Sequence, residues 1–352
     1  MLLVHSIQNI FYLTGHQTTG IANYHCLVVP NSGDPYLILR RLELLGAQKY
    51  SWLDDFSIWS DHEDPADVTV AAIRERGFSK GVVGIDQTSS YLSVHTHRKL
   101  TGGLPGATFV DAAGVVEELR RKKSPAEIEF IRKAADITVK GMVAAAGEAR
   151  AGRTENDVAA AAVSAMYRAG GEYQAREPTV NSGPRSGIPH TTFQRRVLRA
   201  GDAMILEMSG CYNRYCAPQL RTVSIGKPSD DVKRTHDACV AALGASIAVA
   251  KPGALAGDVE RAYSRTLSDH GFDAGKRAGY SIGIGFYPTW MEAEIIALKK
   301  DDTTVLEPGM AFHIPPVLRV ADTYGAGCSE SILITDDGNE LLTVLNQEIF
   351  VA

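Results

Sequence analysis

The chain has 352 residues, 45% of them hydrophobic and 22% charged, with a net charge of −5 and a pI near 6.1, a length and balance that suit two ordinary cores rather than one. No run of five like charges and no apolar stretch of bilayer length occurs, which argues against nucleic-acid and membrane partners. Five cysteines, Cys26, Cys211, Cys216, Cys239 and Cys328, are odd in number and lack paired metal-type spacing, so no disulfide framework is expected and the chain reads as cytoplasmic.

The opening MLLVHSIQNIFYLTG (1–15) reads as strand-like alternation belonging to the fold rather than as a leader; with this start, any helix preceding it is expected to be missing. HCLVVP (25–30) and PYLILRR (35–41), separated by the turn residues NSGDP and followed by the helical DPADVTVAAIRERG (64–77), give strand then helix repeated. That pattern means an α/β domain over 1–119. Ser124, Pro125 and Glu127 suit the N-cap, first-turn and capping-box positions of a helix over 126–150. A second domain over 124–352 is therefore expected. Thr154 and Asp157 cap a second helix over 154–169, strand-rich segments follow, and two more helices fall near 231–250 and 257–270, so this domain is α+β. The glycines of GYSIGIGF (279–286) lack the strand, helix opening and distal acid of a dinucleotide fingerprint, so no cofactor is implied.

Six segments occur in order: KSPAEIEFIRKAADI (123–137), NSGPRSGIPH (181–190), GDAMILEMSGCYNRYCAPQLRTVSIGKP (201–228), AGYSIGIGF (278–286), LEPGMAFHI (306–314) and CSESILITDDG (328–338). Together with NIFYLTG (9–15), they resemble the signature segments of the creatinase, aminopeptidase P and prolidase family, the pita-bread fold. The resemblance implies an N-terminal creatinase-type domain, a C-terminal pseudo-twofold sheet holding the active site, and a homodimer. Metal-dependent members hold two divalent ions with five side chains, because carboxylates and an imidazole can bridge two cations that activate one water. Matched to that set, this sequence has Glu207, Pro218, Tyr280, Pro315 and Glu330. Two carboxylates without the imidazole and the bridging acids do not make a dinuclear cage, so no catalytic metal is expected.

Creatinase works on this fold without metal through a histidine that matches His190 here. EMSGCYNRYCAPQLRT (207–222), GYSIGIGFYPTW (279–290) and FHIPP (312–316) resemble the ectoine-hydrolase branch most, which implies a hydrolase opening a C–N bond of a small zwitterionic amidine, guanidine or cyclic amide. On that reading His190 is the acid/base, Glu207 and Glu330 are the nucleophile or charge-balancing carboxylates, and Arg221 holds the substrate carboxylate, with Tyr280, His313 and Tyr215 lining the site. His16 and Tyr24, in the loop HQTTGIANYH (16–25), are expected near a partner subunit's active site; this loop is smaller and more polar than the aromatic one of ectoine hydrolases, which sets the substrate apart from ectoine. Other readings stay open at this point. Glu207 and Arg221 would also suit a structural ion pair, the tyrosines packing roles, and the chain as a whole an Xaa-Pro metallopeptidase or a degenerate binding protein.

Overall fold

The computed structural model describes residues 1–352, which divide into two compact units, Met1–Arg120 and Arg121–Ala352. In the first, the elements run β1 (Leu2–Val4), α1 (Ile7–Thr14), β2 (Cys26–Val29), β3 (Tyr36–Arg40), α2 (Leu44–Tyr50), β4 (Phe56–Trp59), α3 (Pro65–Glu75), β5 (Lys80–Ile85), α4 (Val94–Gly103), β6 (Gly106–Asp111) and α5 (Val115–Arg120). The strands form one mixed sheet in the order β4-β3-β2-β1-β5-β6. Alternate residues on each strand serve opposite faces. Leu3, Val28 and Ile38 pack with α3 and α4, whereas Val4, Leu27, Leu37 and Leu39 pack with Ile10, Ala47 and Val116 of α1, α2 and α5. The opening segment departs from the expected strand alternation after Val4, because Ile7, Ile10 and Thr14 recur at helical spacing and are buried, and Gly15 ends the helix with a left-handed φ of 78°.

The second unit runs α6 (Pro125–Glu148), α7 (Glu155–Arg168), β7 (Thr179–Ser182), β8 (Ala203–Tyr212), β9 (Tyr215–Ser224), α8 (Asp230–Val249), α9 (Ala256–Asp269), β10 (Gly279–Phe286), β11 (Thr289–Met291), β12 (Ala297–Leu298), β13 (Ala311–Ile314), β14 (Val317–Val320), β15 (Tyr324–Gly327), β16 (Glu330–Ile334), β17 (Asn339–Leu341) and β18 (Phe350–Val351). Its main sheet follows β17-β16-β13-β10-β9-β8-β7, and β14 pairs with β15 as a separate hairpin. Both capping boxes form, Ser124 with Glu127 on α6 and Thr154 with Asp157 on α7. This is the α/β plus pita-bread architecture that the resemblance implies. No helix is long and apolar enough to cross a membrane.

Helices cover one face of this sheet. α6 and α7 pack on Met204, Leu206 and Met208 of β8, and α8 and α9 pack on Phe312, Ile314 and Ile332. Thr138 of α6 accepts from the Gly210 amide at 2.7 Å and donates to the Ala217 carbonyl at 2.7 Å, which fixes the β8–β9 hairpin to the helix. A Cβ at Gly210 would stand 2.6 Å from the Ala134 carbonyl oxygen, so only glycine permits that approach. The hairpin turns at Asn213 and Arg214, both with positive φ, as a two-residue turn that follows the strand twist requires.

Lys123, just ahead of α6, is buried and donates to the Glu292 carboxylate at 2.9 Å; both side chains are 1% exposed. Glu292 also accepts from the Ile284 amide, in space left by Gly283, whose Cβ would touch the carboxylate. Removing one partner of such a pair strands the other charge in the interior. Glu292→Ala is expected to lower the unfolding free energy by about 3–5 kcal/mol, read from the urea midpoint at pH 7.

Candidate functional site

The face of the second sheet away from the helices, here the open face, is defined by parity, and most of its side chains are buried. Leu206 and Met208 point to the helices, so Glu207 and Ser209 point the other way, as do their cross-strand partners Leu220 and Pro218. Phe312 and Ile314 are likewise under helices, which turns His313 and Pro315 to the open face, together with Tyr280 opposite His313. Val317 of β14 packs on Ile205 and Leu220, bringing the β14–β15 hairpin over this face.

A chain of hydrogen bonds crosses the face. The Trp290 indole N–H donates to the Tyr280 hydroxyl at 3.1 Å, the Leu220 amide donates to Ser329 Oγ at 2.6 Å, and His313 joins the two, Nδ1 lying 2.8 Å from Tyr280 Oη and Nε2 2.7 Å from Ser329 Oγ. Burial, reinforced by Lys276 and Arg221, pushes His313 down to about 3, so the ring is neutral and carries one N–H. If that proton is on Nδ1, the Tyr280 oxygen accepts twice and its own O–H is left for the pocket; if it is on Nε2, Tyr280 donates to His313 instead. Burial, with the Glu207 charge adding to it, raises Tyr280 far above its ordinary value. Tyr280 is therefore a proton donor rather than a base near neutrality.

Glu207 is half-buried and makes no side-chain hydrogen bond or ion pair. Its charge acts on Lys276 and Arg319, favouring the protonated form of each. Desolvation among its neighbours, with Arg319 next, lowers the Lys276 ammonium to about 8, and its Nζ donates to the Pro315 carbonyl at 3.1 Å. Arg176 lies over the Trp290 ring at 5.3 Å and Arg277 over Tyr280 at 5.5 Å.

Several expected site residues lie elsewhere. Glu330 and Arg221 are not on the open face. Arg221 stands opposite Leu206 and Glu330 opposite Ile314, both on the helix-covered side, where they form a buried ion pair at 2.5 Å. Arg221 also donates to the carbonyls of Ser329, Leu345 and Asn346, and Glu330 accepts from Thr343 and Gln347, so neither has capacity left for substrate. The reading of Glu330 as a catalytic carboxylate and of Arg221 as the substrate clamp is corrected accordingly, and Ser329 holds the open-face position. The alternative of a Glu207–Arg221 pair fails for the same reason of parity. Tyr215 also faces the helices and donates to Glu127 at 2.8 Å. Tyr24 is half-buried and gives its hydroxyl to a hydrogen bond with Thr69, and His16 is fully buried beside His25. His190 is exposed with a left-handed φ of 56°, and its ring makes no hydrogen bond. Its loop folds back on β7 through Asn181 donating to Thr191 O and Thr192 donating to Pro178 O. Thr179 of β7 is the cross-strand neighbour of Glu207.

Residues 129–336 match the family described as Metallopeptidase family M24, and residues 1–122 match the Creatinase/Prolidase N-terminal domain. The ectoine hydrolase of Halomonas elongata is 34% identical, covering 100% of this chain and 92% of its own length. An uncharacterized hydrolase/peptidase, y4tL, of Sinorhizobium fredii is also 34% identical over 99% and 91%. Among solved structures, dipeptidase PepE from Mycobacterium ulcerans superposes with a TM-score of 0.83 at 27% identity, covering 99% of this chain and 92% of that one.

A metallopeptidase description implies divalent ions, and the open face does not fit them. Pro218 and Pro315 have no donor atom on the side chain, Tyr280 is held protonated, Glu330 is turned away, and no three His, Cys, Asp or Glu side chains come together. Lys276 instead sets an ammonium against Pro315.

The His313 shift has a sign. Its folded value lies below the usual 6.5, so its contribution to stability is complete above that pH and is lost as pH falls toward 3. By pH 5 the loss is about 2 kcal/mol. Thermal melts at pH 7 and pH 5 are expected to differ by less in His313→Gln than in the parent.

Proposed function

Because the chain belongs to the M24 family with a creatinase-type N-terminal domain, we propose that it is a hydrolase cleaving a C–N bond of a small compound, an amide or amidine, without a resident metal ion. The observation carrying this reading is the survival of one solvent-reached carboxylate, Glu207, beside the Tyr280–His313–Ser329 chain, on a face whose other ligand positions are proline or turned away. The 34% identity to an ectoine hydrolase over the whole chain supports a bond other than a peptide bond.

Glu207 takes a proton from water as the oxygen attacks the electrophilic carbon. The charge that develops on the heteroatom of that carbon is met by the Tyr280 O–H in the tautomer that carries the His313 proton on Nδ1, where His313 and Trp290 both donate to the Tyr280 oxygen. The C–N bond then breaks, and the leaving nitrogen takes up the proton, relayed from Glu207 by His190. Water is consumed, its hydroxyl ending on carbon and its proton on nitrogen. His190 suits the shuttle because its loop lies against β7 beside Glu207 and its ring is open to solvent.

Amides, cyclic amides, amidines, guanidines and Xaa-Pro dipeptides should be screened for amine, ammonia or urea release, with and without manganese and with a chelator. Turnover of a non-peptide substrate unaffected by chelation is expected; release of proline only with added manganese would assign the chain to the Xaa-Pro peptidases instead. On the substrate found, Glu207→Gln should lower kcat roughly a thousandfold and Tyr280→Phe about a hundredfold. His190→Ala should abolish turnover at an unchanged melting temperature. Full activity in Glu207→Gln would overturn the mechanism.

A further inference from the structure

The second unit contains two fully buried arginines whose guanidinium groups are satisfied. Arg221 has Glu330 and four carbonyls, and Arg214 donates to the Gly285 and Tyr173 carbonyls and stacks on the Tyr173 ring. Arg319 is the exception. Val317, two residues earlier on β14, faces Ile205 and Leu220, so Arg319 extends over the same open face. Gly325 is opposite it on β15, where a Cβ would clash first with the Ser186 carbonyl oxygen and also come to 3.3 Å from Arg319 Cγ. The Nε atom is buried without a hydrogen-bond partner, and the side chain enters no ion pair.

Arg319 is half-buried, its Nε shut off from water without an acceptor while its terminal nitrogens remain within reach of solvent, and a planar fork is made for a carboxylate. Lys276 stands near it, with one of its three N–H donors given to the Pro315 carbonyl. Arg176 and Arg277 add two further cations over the Trp290 and Tyr280 rings, against Glu207 as the acid whose charge reaches this group. A ligand bringing its own cation would meet this excess of positive charge unfavourably; one bringing only negative charge would relieve it.

We propose that Arg319, assisted by Lys276, is the carboxylate-binding subsite of this pocket, and that its ligand is a net anion: a carboxylate-bearing amide or cyclic amide rather than a cationic amidine or guanidine. This narrows the hydrolase reading above and rests on the same open face. The subsite holds the carboxylate on the hairpin side while Glu207 and Tyr280 address the C–N bond.

Binding separates the subsite from the chemistry. The full chain should be titrated calorimetrically with acetate, succinate and N-acetyl-L-alanine, with N-acetyl-L-alaninamide as the uncharged control and creatine as the zwitterion. At least one anion is expected to bind saturably, with the alaninamide and creatine far weaker. Arg319→Gln should weaken the anion by roughly thirtyfold or more, Arg319→Lys less so, and Glu207→Gln should not weaken it. Without ligand, Arg319→Gln should melt at or above the parent temperature, since a half-buried cation whose Nε has no acceptor is gone. If none of the anions binds, if creatine or the alaninamide matches them, or if both Arg319 variants bind as the parent does, the subsite is wrong. Anion binding through Arg319 with no turnover of any amide would leave the subsite standing and remove the hydrolase reading. Turnover of a cationic substrate indifferent to Arg319→Gln would do the reverse.

Discussion

The buried pair of Arg221 and Glu330 decides which side chains can reach the pocket. It ties β9 to β16 beneath the C-terminal segment, on the side of the sheet that the helices cover. Because strand side chains alternate, fixing Arg221 inward to the helices sends Leu220 to the open face, and fixing Glu330 does the same for Ser329. The pair is saturated by its surroundings and contributes position rather than reactivity. Breaking it would leave an uncompensated charge in the interior, beside strands whose register it helps to hold through side-chain contacts.

On the face so defined, the charge pattern differs from what the M24 description implies. Relatives described as metallopeptidases call for acids that gather cations from solution. Here the chain brings an ammonium and a guanidinium on its own backbone, and retains one acid among them. Tyr280, where the metal-dependent pattern has an imidazole, is kept protonated by burial, so the position supplies a hydrogen-bond donor in place of a lone pair.

Much of the fold was legible in the sequence because its signals are local. The capping boxes at Ser124 and Thr154 mark α6 and α7 within a residue or two, and the helices near 231 and 257 begin within a residue of Asp230 and Ala256. The opening helix was misread because five apolar residues in a short stretch fit either period, and only the burial of Ile7, Ile10 and Thr14 separates them. In the site, the motif positions of Glu207, Tyr280 and His313 were visible, but Glu330 was matched by motif spacing when parity would have corrected it: Ile332 and Ile334, two and four residues on, are core residues. Arg319 and Lys276 carry no motif. One lies on a four-residue strand of a small hairpin and the other in a loop, and only tertiary packing brings both to Glu207.

The two prolines of the open face also bear on how this sequence can change. Pro218 sits within a central strand, opposite Ser209, with no N–H to give, and the strand has adapted by handing its carbonyl to Ser331. A two-metal site on this face would require acids at Pro218 and Pro315, an imidazole at Tyr280, an acid at Ser329 and the loss of Lys276. Each of these alone would place an unpaired acid in a packed sheet or open a hole beside His313, without yet creating a cation site. No single substitution on this face assembles a set of cation ligands.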